Sequence, residues 1–307
     1  MLTALLCLGA VLVDRWLGEP RRWHPLVSFG VAAQRLEAWV YGPLELKVEA
    51  RRARGIGAVI LLLVPLTIVA GLLAAIPLLG WAAALGLLYL TIGARSLAEH
   101  AEAVAAALQA GDLAAARERV SRMVSRDPTE LDEEQISRAT VESVLENGCD
   151  AIFGALCWFV LGGAAGATLY RLANTLDAMW GYRTPRYQYF GWAAARLDDG
   201  LNWLPARLTA LSYVAVGTRP ALAWRCWREQ APGWKSPNAG PVMAAGAGAL
   251  GLALGGPACY HGEWQPRPAL GEGLAPRAED IGRAVALVRR ALWLWLGVIA
   301  LGGLTLA

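Results

Sequence analysis

The chain has 307 residues, 56% hydrophobic and 17% charged, with mean hydropathy +0.39 and a formal net charge of +3 at pH 7. A soluble domain holds about 45–50% apolar and ~25% charged residues, so the composition excludes an ordinary water-soluble globule along with collagen-like, disordered and disulfide-scaffold chains. The small net charge also argues against a nucleic-acid partner. An all-α integral membrane protein remains. We expect one membrane-embedded domain over 1–307, with about four to five transmembrane helices, re-entrant or half-membrane helices and a cytoplasmic helical insertion.

Residues 1–13 are apolar, with no basic stretch before them and no Ala-x-Ala site, which predicts a retained helix rather than a cleaved signal peptide. Segment 14–54 carries eight Arg and Lys against five acids and belongs in the cytoplasm by the positive-inside rule. Residues 56–76 are uncharged and long enough to cross a hydrocarbon core of ~30 Å. Pro77 and Gly80 mark a turn, and 81–94 is the return span, stopped by Arg95.

From 95 to 150 the pattern becomes that of amphipathic helices, the cytoplasmic insertion. Leu97, His100, Ala101, Val104 and Leu108 recur at helical spacing, Gly111-Asp112 interrupts, and 113–124 continues. Asp132 with Gln135 three residues on is a capping-box start for a helix over about 133–147.

Residues 151–170 are apolar but contain Gly162, Gly163 and Gly166. One full crossing there would carry the Arg-rich 171–196 stretch outside. A helical hairpin broken at Gly162-Gly163 avoids this, because irregular backbone at membrane depth is tolerated where protein covers it. Residues 201–217, which include Arg207, are a weaker apolar segment. The Pro/Gly-rich 232–277 reads as loop-dominated, with 244–256 a short packed helix or a minor membrane dip. A last span covers 291–307. The five cysteines (7, 149, 157, 226, 259) form no CxxC pair and read as reduced packing residues.

Three constellations can carry chemistry. Glu142, Glu146 and Asp150 fall on one helical face at i, i+4, i+8, beside Asn147. Like charges at that spacing repel, and oxygen ligands of this kind suit Mg²⁺ completed by substrate phosphates; a solvated acidic face is the alternative. Asn174 and Asp177 share a face beside Gly181, as ligands or as a helix-end cap. The densest stretch holds Tyr189, Arg196, the adjacent Asp198 and Asp199, and Arg207, a pattern fit for a phosphorylated or flat ligand, although its aromatics also suit a membrane-interface belt. His24 and His100 are acid/base candidates or structural hydrogen-bonders. There is no phosphate-binding P-loop, no nucleophile elbow and no H-E-x-x-H.

Ordered motifs run almost end to end. They include Asp14-Arg15-x-Leu17-Gly18-Glu19-Pro20 with His24-Pro25, Arg95-Ser96-Leu97-Ala98-Glu99-His100-Ala101, and Ser125-Arg126-Asp127 with Leu131-Asp132-Glu133. Further on come Val141-Glu142 with Glu146-Asn147, Asn174-Thr175-Leu176-Asp177, Tyr189-Phe190-Gly191-Trp192, Ala195-Arg196-Leu197-Asp198-Asp199, Pro205-Ala206-Arg207, Ser236-Pro237-Asn238 and Gly255-Gly256-Pro257. On these the sequence resembles the CobD/CbiB family, the adenosylcobinamide-phosphate synthases of cobalamin biosynthesis. It departs from that pattern at Gly148-Cys149-Asp150-Ala151 and at Cys259-Tyr260, neither of which removes an ionisable group.

The resemblance implies a multi-pass enzyme of the bacterial inner membrane that joins adenosylcobyric acid to (R)-1-amino-2-propanol O-phosphate or ethanolamine phosphate through an amide bond. ATP is implied as substrate and Mg²⁺ as cofactor. Set against the residues above, that chemistry suggests Asp177, Asp198 and His100 as catalytic, His24, Asn174, Tyr189, Arg196 and Arg207 as substrate-binding, and Glu142, Glu146, Asp150 and Asp199 as metal ligands. The site is expected to open to the cytoplasm. The implied partners are the corrinoid, the aminoalcohol phosphate, the lipid bilayer and other membrane-bound late enzymes of that pathway. A UbiA-type membrane prenyltransferase is an alternative, but it would show two aspartate motifs in equivalent helices and more spans. A non-catalytic sensor or scaffold would not need the acidic and Arg motifs that stand here.

Overall fold

The computed structural model describes all residues except 21–23, 44–45, 125–126, 261–262 and 306–307, and gives backbone only for Cys259, Tyr260, Glu263 and Trp264. Arg21, Arg22, Ser125, Arg126 and the end of the 291–307 span therefore lie outside the described residues. In chain order the elements are α1 (Leu2–Leu17), α2 (Pro25–Val40), α3 (Val48–Ala74), α4 (Gly80–Thr91), α5 (Ala94–Gln109), α6 (Leu113–Val120) and α7 (Glu133–Gly148). A π-helical turn, Cys149–Phe153, leads into α8 (Gly154–Trp180), α9 (Tyr187–Phe190), α10 (Trp192–Val216), α11 (Pro220–Gln230) and α12 (Ala239–Leu250). Four short strands follow, β1 (Leu254–Gly255), β2 (Ala258–Tyr260), β3 (Glu263–Gln265) and β4 (Ala269–Leu270), before α13 (Ala278–Thr305). Among the described residues, four helical runs are long and apolar enough to cross a membrane: Val48–Ala74, Gly80–Gln109, Glu133–Trp180 and Ala278–Thr305. The protein is an all-α membrane protein. Its chain divides into two compact units.

The first unit comprises Met1–Gly93, Gly154–Asn202 and the last residues from Gly303. Beyond its charged first turns, α3 is apolar all round from Ile56 to Ala74, as a lipid-facing helix is. Leu63 and Ala70 are buried against neighbours, while Ile60, Leu61, Ile68 and Leu72 are exposed. At 27 residues it rises about 40 Å, enough to cross. Helix α4 returns along it, packing on α1, α3 and α8.

Helix α8 reverses at Gly163, whose φ of 60° and ψ of −153° are non-helical. A β-carbon at Gly166 would lie 2.3 Å from the Trp158 carbonyl oxygen, and one at Gly154 would lie 2.0 Å from the Tyr170 ring. Residue 158 thus faces 166 and 154 faces 170, which makes an antiparallel helical hairpin, one of the two arrangements the sequence left open. The apolar run 151–162 rises only about 18 Å, short of a full crossing.

The second unit comprises Ala94–Phe153 and Trp203–Gly302. Helix α7 begins with the expected capping box: the Gln135 amide donates to Asp132 Oδ1 at 2.8 Å, and the Asp132 amide donates to Gln135 Oε1 at 2.9 Å. Helices α5 and α6 pack together and on α7. The 232–277 region is more ordered than its composition implies. Within it α12 is buried along its whole length, packed on α11 and α7, and β1 pairs antiparallel with β4. Helix α13 starts well before residue 291, at Ala278, with Asp280 Oδ2 accepting from the Arg277 amide at 2.8 Å.

Candidate functional site

The second unit contains two cavities that share Trp234 in their walls. The smaller, about 260 Å³, is lined in part by Glu142, Ser143, Glu146 and Asn147, one face of α7, together with Trp234 and Arg267. Strand β1 and the loop before β4 supply partners for Glu142. Gly255 N–H donates to Glu142 Oε1 at 2.8 Å, and the Arg267 guanidinium donates to both Glu142 oxygens at 3.1 and 3.2 Å. Arg267 Nε also donates to the Gly256 carbonyl at 3.0 Å, and the guanidinium stacks 5.2 Å from the Trp234 ring centroid. Asn147 Nδ2 donates to the Ser143 carbonyl and hydroxyl, leaving its amide oxygen as acceptor.

The larger cavity, about 420 Å³, is lined by Arg207, Arg228 and Lys235 with Trp227 and Trp234 and no carboxylate. Arg207 is held in place by neutral acceptors. Nη1 donates to the Trp203 carbonyl at 3.0 Å and to Asn238 Oδ1 at 2.7 Å, Nη2 donates to the Pro237 carbonyl at 3.0 Å, and the group stacks on Trp203. Burial draws the Arg207 pKa below its ordinary value, yet an arginine there stays charged.

The first unit holds a polar cluster of its own. Asp198 is buried, with Asn174 Nδ2 donating to Oδ1 at 3.3 Å and Asn202 Nδ2 donating to Oδ2 at 3.1 Å; the Tyr170 hydroxyl donates to Asn202 Oδ1 at 2.8 Å. Loss of solvent pushes the Asp198 pKa up to about 6, against the two amide hydrogen bonds, with Asp199 adding to the rise. Burial also raises Asp199, opposed by Arg196 and Arg183. Asp177 sits at the end of α8, where Gly181 leaves room for its carboxylate. Near the α2 end, Glu37 is buried and accepts from Trp180 Nε1 at 3.0 Å and Arg186 Nε at 2.8 Å.

Asn174 and Asp198 therefore meet, as do Glu142 and Glu146. Glu142 presents its oxygens to the Arg267 guanidinium and the Gly255 backbone amide, so in this structure it is an ion-pair partner. Asp150 lies in the π turn rather than among the residues lining the smaller cavity. Asp199 is 3.8 Å from Arg196 within the first unit. Among the described residues no group of three or more His, Cys, Asp or Glu is arranged to hold a metal ion. His100 is exposed on α5. His24 caps α2, its Nδ1 accepting from the Leu26 amide at 3.2 Å, and burial lowers its pKa. Tyr189 lies under the Arg52 guanidinium, 5.9 Å from its centroid.

Sequence reasoning missed Glu37, Arg228, Trp234, Lys235 and Arg267. A Pro/Gly-rich stretch carrying Trp234, Lys235 and Arg267 was a usable signal, since conspicuous side chains on loops often serve binding.

The chain matches the family model described as CobD/Cbib protein over residues 7–288. It is 61% identical over 297 residues to Cobalamin biosynthesis protein CobD of Chromobacterium violaceum, covering 96% of this chain and 95% of that one. Proteins of the same name from Stutzerimonas stutzeri and Mycobacterium tuberculosis are 57% and 42% identical, covering 96% and 91% of this chain and 96% and 88% of theirs. No solved structure matches it.

Proposed function

The chain belongs to the CobD/Cbib family, and from that premise we propose that it is a membrane-bound enzyme of cobalamin biosynthesis. In this reading it is the adenosylcobinamide-phosphate synthase, joining adenosylcobyric acid to (R)-1-amino-2-propanol O-phosphate or ethanolamine phosphate at the cytoplasmic face of the bacterial inner membrane. A carboxylate is a poor electrophile, so a propionate oxygen of the corrinoid attacks the γ-phosphorus of ATP, ADP leaves, and an acyl phosphate forms. The amine, after losing a proton from its ammonium form, attacks the acyl carbon; the amide bond forms and inorganic phosphate departs.

The observation that carries the reading is the pair of cavities that both have Trp234 in their walls, one cationic and one with Glu146 and Asn147 in its wall. Phosphoryl transfer depends on positioning and on neutralising charge, and Arg207, Arg228 and Lys235 do both for phosphate oxygens. Because the Glu142 oxygens are occupied, the donor set fits Mg²⁺ only as an ion completed by phosphate oxygens, with Glu146 and Asn147 as its protein ligands; there it would supply charge neutralisation. Asp198, protonated more readily than an ordinary carboxylate, is the acid/base candidate in the first unit.

Purified protein in detergent, supplied with adenosylcobyric acid, aminopropanol phosphate, ATP and Mg²⁺, is expected to consume ATP only when both other substrates are present. Glu146→Gln is expected to lower turnover by about two orders of magnitude without loss of membrane insertion. Product formation without ATP, or full activity in Glu146→Gln, would refute the ligase reading or the metal assignment respectively.

A further inference from the structure

The amide-forming reaction has two phosphate-bearing substrates, and the geometry points to the larger cavity of the second unit as the subsite of the nucleoside triphosphate: Arg207, Arg228 and Lys235 take its phosphates, and the indoles of Trp227 and Trp234 take its base. This rests on the ligase reading and adds to it the place of one substrate.

Charge is the first ground. Elsewhere in the same unit arginines are paired with carboxylates, Arg225 with Glu272 at 2.6 Å and Arg267 with Glu142 at 3.1 Å. The three cations of this cavity have no carboxylate partner among the described residues. Converging like charges raise one another's energy, and a polyanion is what relieves them. The second ground is preorganisation. The Arg207 fork is fixed by two carbonyls, an amide oxygen and an indole face, acceptors that orient it without neutralising it, so its charge is left for a ligand.

Size and shape supply the third ground. A volume of about 420 Å³ is within the usual range for a pocket that encloses a whole drug-sized ligand. A small acyclic phosphomonoester would fill only part of it and has no ring for the two indoles, whereas a nucleobase stacks on such surfaces readily.

The test uses full-length protein in detergent, titrated calorimetrically with β,γ-imido-ATP and, separately, with ethanolamine phosphate. Arg228 and Lys235 are exposed, so Arg228→Gln and Lys235→Gln should melt at the wild-type temperature. Each should weaken the ATP analogue about tenfold or more while leaving ethanolamine phosphate affinity unchanged; Trp227→Leu should weaken the analogue about tenfold. Unaltered analogue binding in all three variants overturns the assignment, as does loss of ethanolamine phosphate binding with the analogue unaffected. In both cases wild-type protein that still consumes ATP to make product keeps the ligase reading standing. Wild-type protein that neither binds the analogue nor consumes ATP fails both.

Discussion

Two buried carboxylates show how much a partner decides. Glu142 is met by the Arg267 guanidinium and the Gly255 amide, so its charge is compensated, and removal of Arg267 would strand it. Asp198 receives only neutral amide donors, and burial pushes its pKa up to about 6 from 3.8. The folded state therefore binds this proton more tightly than the unfolded chain does. That contribution to stability is complete below about pH 4 and is lost as pH rises through about 6. At neutral pH the ionised group then costs about 3 kcal/mol. Asp198→Asn is accordingly expected to raise the melting temperature in detergent at pH 7.5, with the gain shrinking towards pH 4, while turnover falls. A gain that does not vary with pH, or none at all, would show that the carboxylate ionises there without strain.

The hairpin in α8 depends on a backbone conformation open essentially to glycine alone. At Gly163 φ is 60° and ψ is −153°, a combination that costs a side-chain-bearing residue about 1–3 kcal/mol. Its neighbour Gly162 has no positive φ, and a methyl group added there would meet nothing within 4 Å. Gly163→Ala should thus lower the thermal stability of detergent-solubilised protein, and Gly162→Ala should leave it close to wild type; equal effects would remove the reversal as the reason for glycine here. Some elements were legible because their causes are local, namely the Asp132 and Gln135 cap and the uncharged run of α3, whereas charge alone left a crossing and a hairpin at 151–170 both open. Helix α12 was legible only in part. Glycine is a poor helix former, and the helix starts at Ala239, earlier than the small-residue run suggested, packed against α7 and α11. The site was legible in the same measure. One helical face named Glu142 and Glu146, but Arg267, 125 residues away in sequence, is brought to Glu142 only by the tertiary fold.

Across the whole molecule the few charges serve as markers of orientation. Within the first unit the basic segment that runs into the first turns of α3 and the segment after α8 come together: the Tyr41 hydroxyl donates to the Arg186 carbonyl at 2.9 Å, and the Arg52 guanidinium lies over Tyr189 and Trp192. From Arg52 to its end at Ala74, α3 rises about 33 Å, separating these groups from the turn at Pro77–Gly80, where Leu78 is 90% exposed. In the proposed topology a half-depth hairpin rather than a crossing at 151–170 keeps both basic segments on one side, which the positive-inside rule predicts to be the cytoplasm. Reporter fusions should therefore read cytoplasmic after Arg186 and periplasmic when inserted at Leu78. Matching signals from the two positions would mean that α3 does not cross. A periplasmic signal after Arg186 would mean that α8 crosses fully, which the contact of residue 154 with 170 forbids.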